Sequence, residues 1–163
     1  MKKRVLLLVV PCVLLAALTG FYLYPTSTYT PVFMERAELE KSVFYQAGAR
    51  DLVNPGKLYY KSPYIYVNEK YKGVHVINNT TPTAPVSEGF IVAPGCIDMA
   101  IKGDILYLDN AVDLVAFNLS TKQVTERVKA IFPEPLSPDG YACYTKRPEN
   151  FVLVGWKKVT KNN

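Results

Sequence analysis

Histidine is close to absent from this chain. There is one, His75, and a lone imidazole builds no histidine-rich zinc site. No Cys-x-x-Cys pair makes up for it, and neither a G-x-S-x-G elbow nor an S-x-x-K run supplies a serine nucleophile. His75 stands between Val74 and Val76 in a strand-like run and reads as a strand residue rather than a proton shuttle. The sequence therefore predicts no catalytic residue, no cofactor and no metal ligand. Cysteine is scarce too. Cys12 lies in an apolar run, which leaves Cys96 and Cys143. These are expected as two small buried thiols, with a disulfide between them as the alternative.

Charge is missing altogether from Val5 to Tyr24. About 20 residues at about 1.5 Å each make a helix of about 30 Å, the thickness of a bilayer core. Lys2, Lys3 and Arg4 precede the run, so that flank stays cytoplasmic and the remainder is exported. Residues 1–24 are expected to be a signal anchor that holds the protein in the membrane through Val5 to Tyr24. A cleaved signal peptide, giving a secreted protein, is the alternative, although Ala16 and Ala17 followed by Leu18, Thr19 and Gly20 fit a cleavage site poorly. Leu18 to Phe21 has the outline of a lipoprotein box, but Phe21 stands where the acceptor thiol belongs; Cys12 is the remaining lipidation option. The expected location is the cell envelope, with the C-terminal part in the periplasm or at the cell surface.

Net charge is small once the leader is set aside. The chain carries +5, of which Lys2, Lys3 and Arg4 supply three. What remains gives no electrostatic footprint for nucleic acid, so no nucleic-acid partner is expected.

What the sequence does have is a repeated β pattern. "YIYVNEKYKGVHVINN" (Tyr64 to Asn79) is followed by "ILYLDNAVDLVAFNLS" (Ile105 to Ser120). Lys61, Tyr66, Val67 and Asn68 match Lys102, Tyr107, Leu108 and Asp109 at an offset of 41. One residue is lost in the turn, and Ile77 and Asn78 then match Phe117 and Asn118 at an offset of 40. Ala84 to Val92 and Lys122 to Ala130 add a further strand to each unit. Short strands repeating at about 40 residues are the mark of a propeller blade. The expected fold is all-β, with two blade-like antiparallel repeats forming a partial propeller or a small sandwich. The expected division is a leader over 1–24, a linker with a short helix over 25–38, and a β-repeat domain over 39–163. The helix-compatible pattern runs from Val32 to Val43.

"GVHVINNTTPTAPVSEG" and "DLVAFNLSTKQVTER" resemble the LVIVD repeat of bacterial surface proteins. In that family an LVIVD-type strand is followed by a proline-containing turn and a further strand. Here the first copy reads Val74-His75-Val76-Ile77-Asn78, then Thr81-Pro82 and Ala84-Pro85, and the second reads Leu114-Val115-Ala116-Phe117-Asn118. Both copies have asparagine where the family has aspartate, and the second lacks the double-proline turn. The resemblance, from about Leu39 to Gly140, implies a β-propeller-like envelope protein and brings no catalytic residues with it.

A closed propeller needs at least four blades and this chain has two. Exposed strand edges then invite self-association or a protein partner, and "NFVLVGW" (Asn150 to Trp156) is the expected closing strand. The functional expectation is a membrane-anchored interaction module without catalysis. Its surface would be the inter-strand turns: Glu69, Lys70, Tyr71, Lys72 and Gly73 in the first unit, Asn110 and Asp113 in the second. The rival is an envelope carbohydrate-active hydrolase or carbohydrate-binding protein, suggested by Asp98, Asp104, Asp109 and Asp113 together with Tyr59, Tyr60, Tyr64, Tyr66 and Tyr71. Against it, Asp104, Asp109 and Asp113 read as turn formers, and alternation puts Tyr64 and Tyr66 on one packing face. A third reading is an incomplete propeller completed by oligomerisation or by a partner.

Overall fold

The computed structural model describes residues 27–159. The expected leader over 1–24 lies outside the described residues. Among those described, no helix is long and apolar enough to cross a membrane. The fold is all-β and antiparallel, with one helical turn, and none of its sheets closes into a barrel.

Two meanders carry the architecture. In the first, β3 (Pro55–Lys61), β4 (Tyr64–Glu69), β5 (Gly73–Asn78) and β6 (Val86–Val92) pair in chain order, and β2 (Phe44–Ala47) adds to the free edge of β6. In the second, β7 (Met99–Lys102), β8 (Ile105–Asn110), β9 (Asp113–Asn118) and β10 (Gln123–Val128) pair in the same order. The register reproduces the sequence repeat: Tyr66 pairs with Val76 as Tyr107 pairs with Ala116. The residue lost between the copies is a turn residue, since Glu69 pairs with Gly73 across three residues and Asn110 pairs with Asp113 across two.

The meanders pack face to face. Tyr66, Val74, Val76 and Ile91 of the first meet Met99, Ile101, Leu106, Leu108, Val115 and Phe117 of the second in one core. β-Branched, leucyl and aromatic side chains at every second position place one apolar face on each sheet, and burying such a face drives the packing. The opposite face of the first meander is covered at one end by the chain before β3. Arg50 lies 4.3 Å over the Phe90 ring, and Phe90 meets His75 edge-on with centroids 4.8 Å apart. His75 is thus a buried strand histidine.

The third sheet joins the ends of the described chain. β1 (Tyr29–Glu35) pairs antiparallel with β11 (Phe151–Lys158), which contains the expected closing strand. Val152, Leu153 and Val154 are buried, whereas Phe151 and Trp156 are only half-buried. The expected linker over 25–38 is corrected here, since Tyr29–Glu35 is strand; a short helix is present as α1 (Arg36–Leu39). A strand partner more than a hundred residues away supplies backbone hydrogen bonds that no local pattern announces. Pro31 is tolerated because β1 has only one neighbour. The helix stays at one turn because such short helices have little stability of their own, and its single buried side chain is Leu39.

Cys96 and Cys143 are free thiols, and only Cys96 is fully buried. Burial pushes the Cys96 thiol well above its ordinary pKa, so it holds little reactive thiolate. Native-state alkylation with peptide mapping is expected to label Cys143 rapidly and Cys96 only after denaturant. Equal labelling of the two under native conditions would refute the packing around Cys96.

Candidate functional site

The turns expected to form the interaction surface are the covered ones. Ala111 and Val112, between β8 and β9, pack with Leu39, Met34, Val152 and Val154 beneath the β1–β11 sheet. Tyr71, between β4 and β5, is half-buried against Gly155, where a Cβ would fall 3.0 Å from the Tyr71 Cβ. Glu69, Gly73, Asn110 and Asp113 are buried, leaving Lys70 and Lys72 as the exposed members of the expected set. Very short turns leave their flanking polar groups no room to reach solvent, so these side chains turn inward and satisfy neighbouring backbone.

Glu69 accepts the Val53 N–H at Oε2 (3.0 Å) and the Asn54 N–H at Oε1 (2.6 Å), with His75 Nε2 3.3 Å from Oε2. Burial alone would raise its pKa; the two backbone donors, with His75 and Lys72, outweigh burial and hold it below the ordinary value. Asn110 donates to the Pro94 carbonyl at 2.6 Å. The other carboxylates of the hydrolase reading are equally occupied. Asp98 pairs with Lys57 at 2.5 Å, and Asp109 accepts the N–H groups of Ile97 and Asp98, each at 2.8 Å. Burial raises the Asp109 pKa despite those donors. Among the described residues no cluster of three or more His, Cys, Asp or Glu side chains could hold a metal.

An accessible cleft lies at the other end of the meanders. It has a volume of about 370 Å³ and opens between the two sheets. Tyr45, Tyr64 and Tyr66 come from the five-stranded sheet, while Asp104, Phe117, Leu119 and Lys122 come from the four-stranded one. Alternation along β4 sends Tyr64 and Tyr66 to the same face, with ring centroids 6.3 Å apart and planes tilted by 46°. Gly89 makes room for Tyr45, whose phenol would overlap any Cβ at that position and whose hydroxyl donates to the Glu88 carbonyl at 3.3 Å.

The loops at this end are held by matching asparagines. Asn78 Oδ1 accepts the Thr80 N–H at 2.8 Å, and Asn118 Oδ1 accepts those of Ser120 and Thr121 at 2.9 Å. Such side-chain-to-backbone bonds hold a tight turn without a long loop. The rim carries both signs of charge. Lys61 reaches across the sheets to Asp104 at 2.5 Å, Glu88 accepts from Asn78 at 2.7 Å, and Lys122 Nζ lies 4.0 Å over the Tyr45 ring. Tyr66 is almost wholly buried, which pushes its hydroxyl up to about 12, with smaller contributions from Tyr64, Asp104, Glu88 and Tyr45. It stays protonated near neutral pH.

Sequence reasoning had put Tyr64 and Tyr66 on one face but had treated that face as packing. The cleft appears only when the second copy brings Asp104 and Lys122 opposite them. Compared with family models, curated proteins and solved structures, the chain matches none of them.

Proposed function

We propose that this chain is a membrane-anchored envelope protein whose exported part binds a ligand without transforming it. Its two meanders are read as two propeller-blade-like repeats of the LVIVD type, held at the membrane by Val5 to Tyr24. The observation that carries the binding reading is the cleft: tyrosine rings beside hydroxyls and paired charges of both signs. Aromatic faces with such a rim suit an uncharged, hydroxyl-rich ligand such as one or two sugar rings, which offers C–H faces to the rings and hydroxyls to the rim. The cleft carboxylates already have partners in Lys61 and Asn78, which favours binding over hydrolysis.

Binding of soluble oligosaccharides to the purified protein, followed by tyrosine NMR or fluorescence, tests this. Tyr64→Ala is expected to weaken binding on the order of tenfold, since an aromatic contact contributes about 0.5–1.5 kcal/mol. Glycan cleavage during the same incubation would replace the binding reading with the hydrolase. Recovery of the full chain from the soluble cytoplasmic fraction would remove the envelope assignment.

A further inference from the structure

The molecule carries register-matched counterparts of both halves of its own core interface, partly exposed, on opposite outer faces. Inside the chain, Tyr66, Val74, Val76 and Ile91 form one half. The second meander repeats that half on its other side: Tyr107, Leu114, Ala116 and Val128 occupy the same register positions, Leu114 pairing with Val128 as Val74 pairs with Ile91. Val128 is 46% exposed, Tyr107, Leu114 and Ala116 are partly exposed, and together they line a groove of about 260 Å³, bordered at Tyr107 and Leu114 by the chain from Phe132 to Leu136.

The other half recurs in part on the first meander, where the counterparts of Leu108 and Val115, Val67 and His75, are already buried beneath the chain before β3. Leu58, Tyr60, Ile65 and Ile77 stand where Met99, Ile101, Leu106 and Phe117 stand in the second, Tyr60 pairing with Ile65 as Ile101 pairs with Leu106. Leu58 is 61% and Tyr60 57% exposed. Apolar residues scattered singly over a surface need no explanation, but a register-matched copy of a core face does.

We propose that two copies of this chain dock head to tail, the open face of one second meander on the outer face of the other copy's first meander. The occupant is a second copy because each exposed face matches a half of the existing interface, and one molecule carries both halves. Two copies supply four meanders and two identical contacts about a two-fold axis, which is the smallest number of blades found in closed propellers. This does not depend on what the cleft binds.

Sedimentation of the full chain in density-matched detergent, at micromolar concentration, tests the pairing. The expected mass is that of a dimer. Val128→Glu and Tyr60→Glu, both at exposed positions and so without effect on the circular dichroism of the monomer, are each expected to raise the dimer dissociation constant at least tenfold. Mixing the two variants should restore a dimer, because one contact then joins two unaltered faces. A wild-type monomer at these concentrations overturns the proposal. So does disruption by Val128→Glu alone, which would mean pairing of two open faces, or a mixture that stays monomeric. Loss of sugar binding in an intact dimer would bear on the cleft and leave this pairing standing.

Discussion

Replacing Asp113 with alanine is expected to cost about 3–5 kcal/mol, the range for removing one partner from a buried ion pair. Asp113 is fully buried and accepts four hydrogen bonds. Arg36 grips it with both terminal nitrogens at 2.9 and 2.7 Å, Arg127 reaches it at 2.8 Å, and the Ala130 N–H at 2.9 Å. Arg127 also bonds Asn110 Oδ1 and the Leu39 and Glu40 carbonyls. One carboxylate thus ties α1, β9, β10 and the chain beyond β10 together, and its loss leaves two neighbouring guanidinium groups without the buried charge they share. In a domain of this size the melting temperature should fall by roughly 10 °C. Lys61→Ala, which removes an exposed pair, should cost less than about 1 kcal/mol. Equal melting points for Asp113→Ala and the wild type would show that this cluster does not hold the termini in place.

The same carboxylate sets a pH dependence. Burial acts to raise the Asp113 pKa, but the Arg36 bonds, the Ala130 N–H and Arg127 outweigh it and the net shift is downward. A lowered folded-state pKa means that stability is fully present above the unfolded value of about 3.9 and is lost as pH falls toward the folded one. Glu69 adds a loss of the same sign. Asp109, raised by burial, acts oppositely, its folded form being disfavoured once pH exceeds the ordinary aspartate range. Denaturant midpoints measured from pH 6 down to pH 3 should fall in the wild type and fall less steeply in Asp113→Asn.

These residues also mark where sequence reading reached its limit. The meanders were legible because each strand writes its own face: Tyr64-Ile65-Tyr66-Val67 alternates, and the offset of 41 carries that alternation into Ile105-Leu106-Tyr107-Leu108. The β1–β11 pairing was not legible, since its partners share no local signal and meet only in the folded chain. From that gap came the reading of Glu69, Gly73, Asn110 and Asp113, all buried, as surface residues. Without a cap the turns at Tyr71 and Ala111 look like exposed loops, and Asp113 beside a turn looks like a turn former. Its true partners, Arg36 and Arg127, lie 77 and 14 residues away in sequence. The cleft failed differently: its tyrosines were identified and placed on one face, but which end of the sheets stays open depends on where the termini pack.

Gly73→Val is the second large effect, and it acts through backbone rather than charge. Gly73 begins β5 with φ +143°, a conformation that a β-branched residue rarely adopts. Space is closed as well. A Cβ would overlap the Ile91 carbonyl oxygen and lie 2.9 Å from both Ala93 N and Phe90 Cε1. Two of those three atoms are backbone, one within β6 and one just beyond it, and the Ala93 N–H is already bonded to the Lys72 carbonyl at 2.9 Å. Neither can retreat without opening the pairing of Gly73 with Val92 at the edge of the core. Strain of about 1–2 kcal/mol from the backbone and about 1–3 kcal/mol from overpacking suggests a total on the order of 3 kcal/mol. Gly73→Ala, which adds the same Cβ without branching, should retain most of that loss. At Gly103, whose φ is +57° but where a Cβ would meet nothing within 4 Å, alanine should show only the backbone part. Equal denaturant midpoints for Gly73→Ala and Gly103→Ala would mean that the β4–β5 turn yields to a side chain after all, and that the tight approach of Gly73 to Ile91 is not what holds the first meander in register.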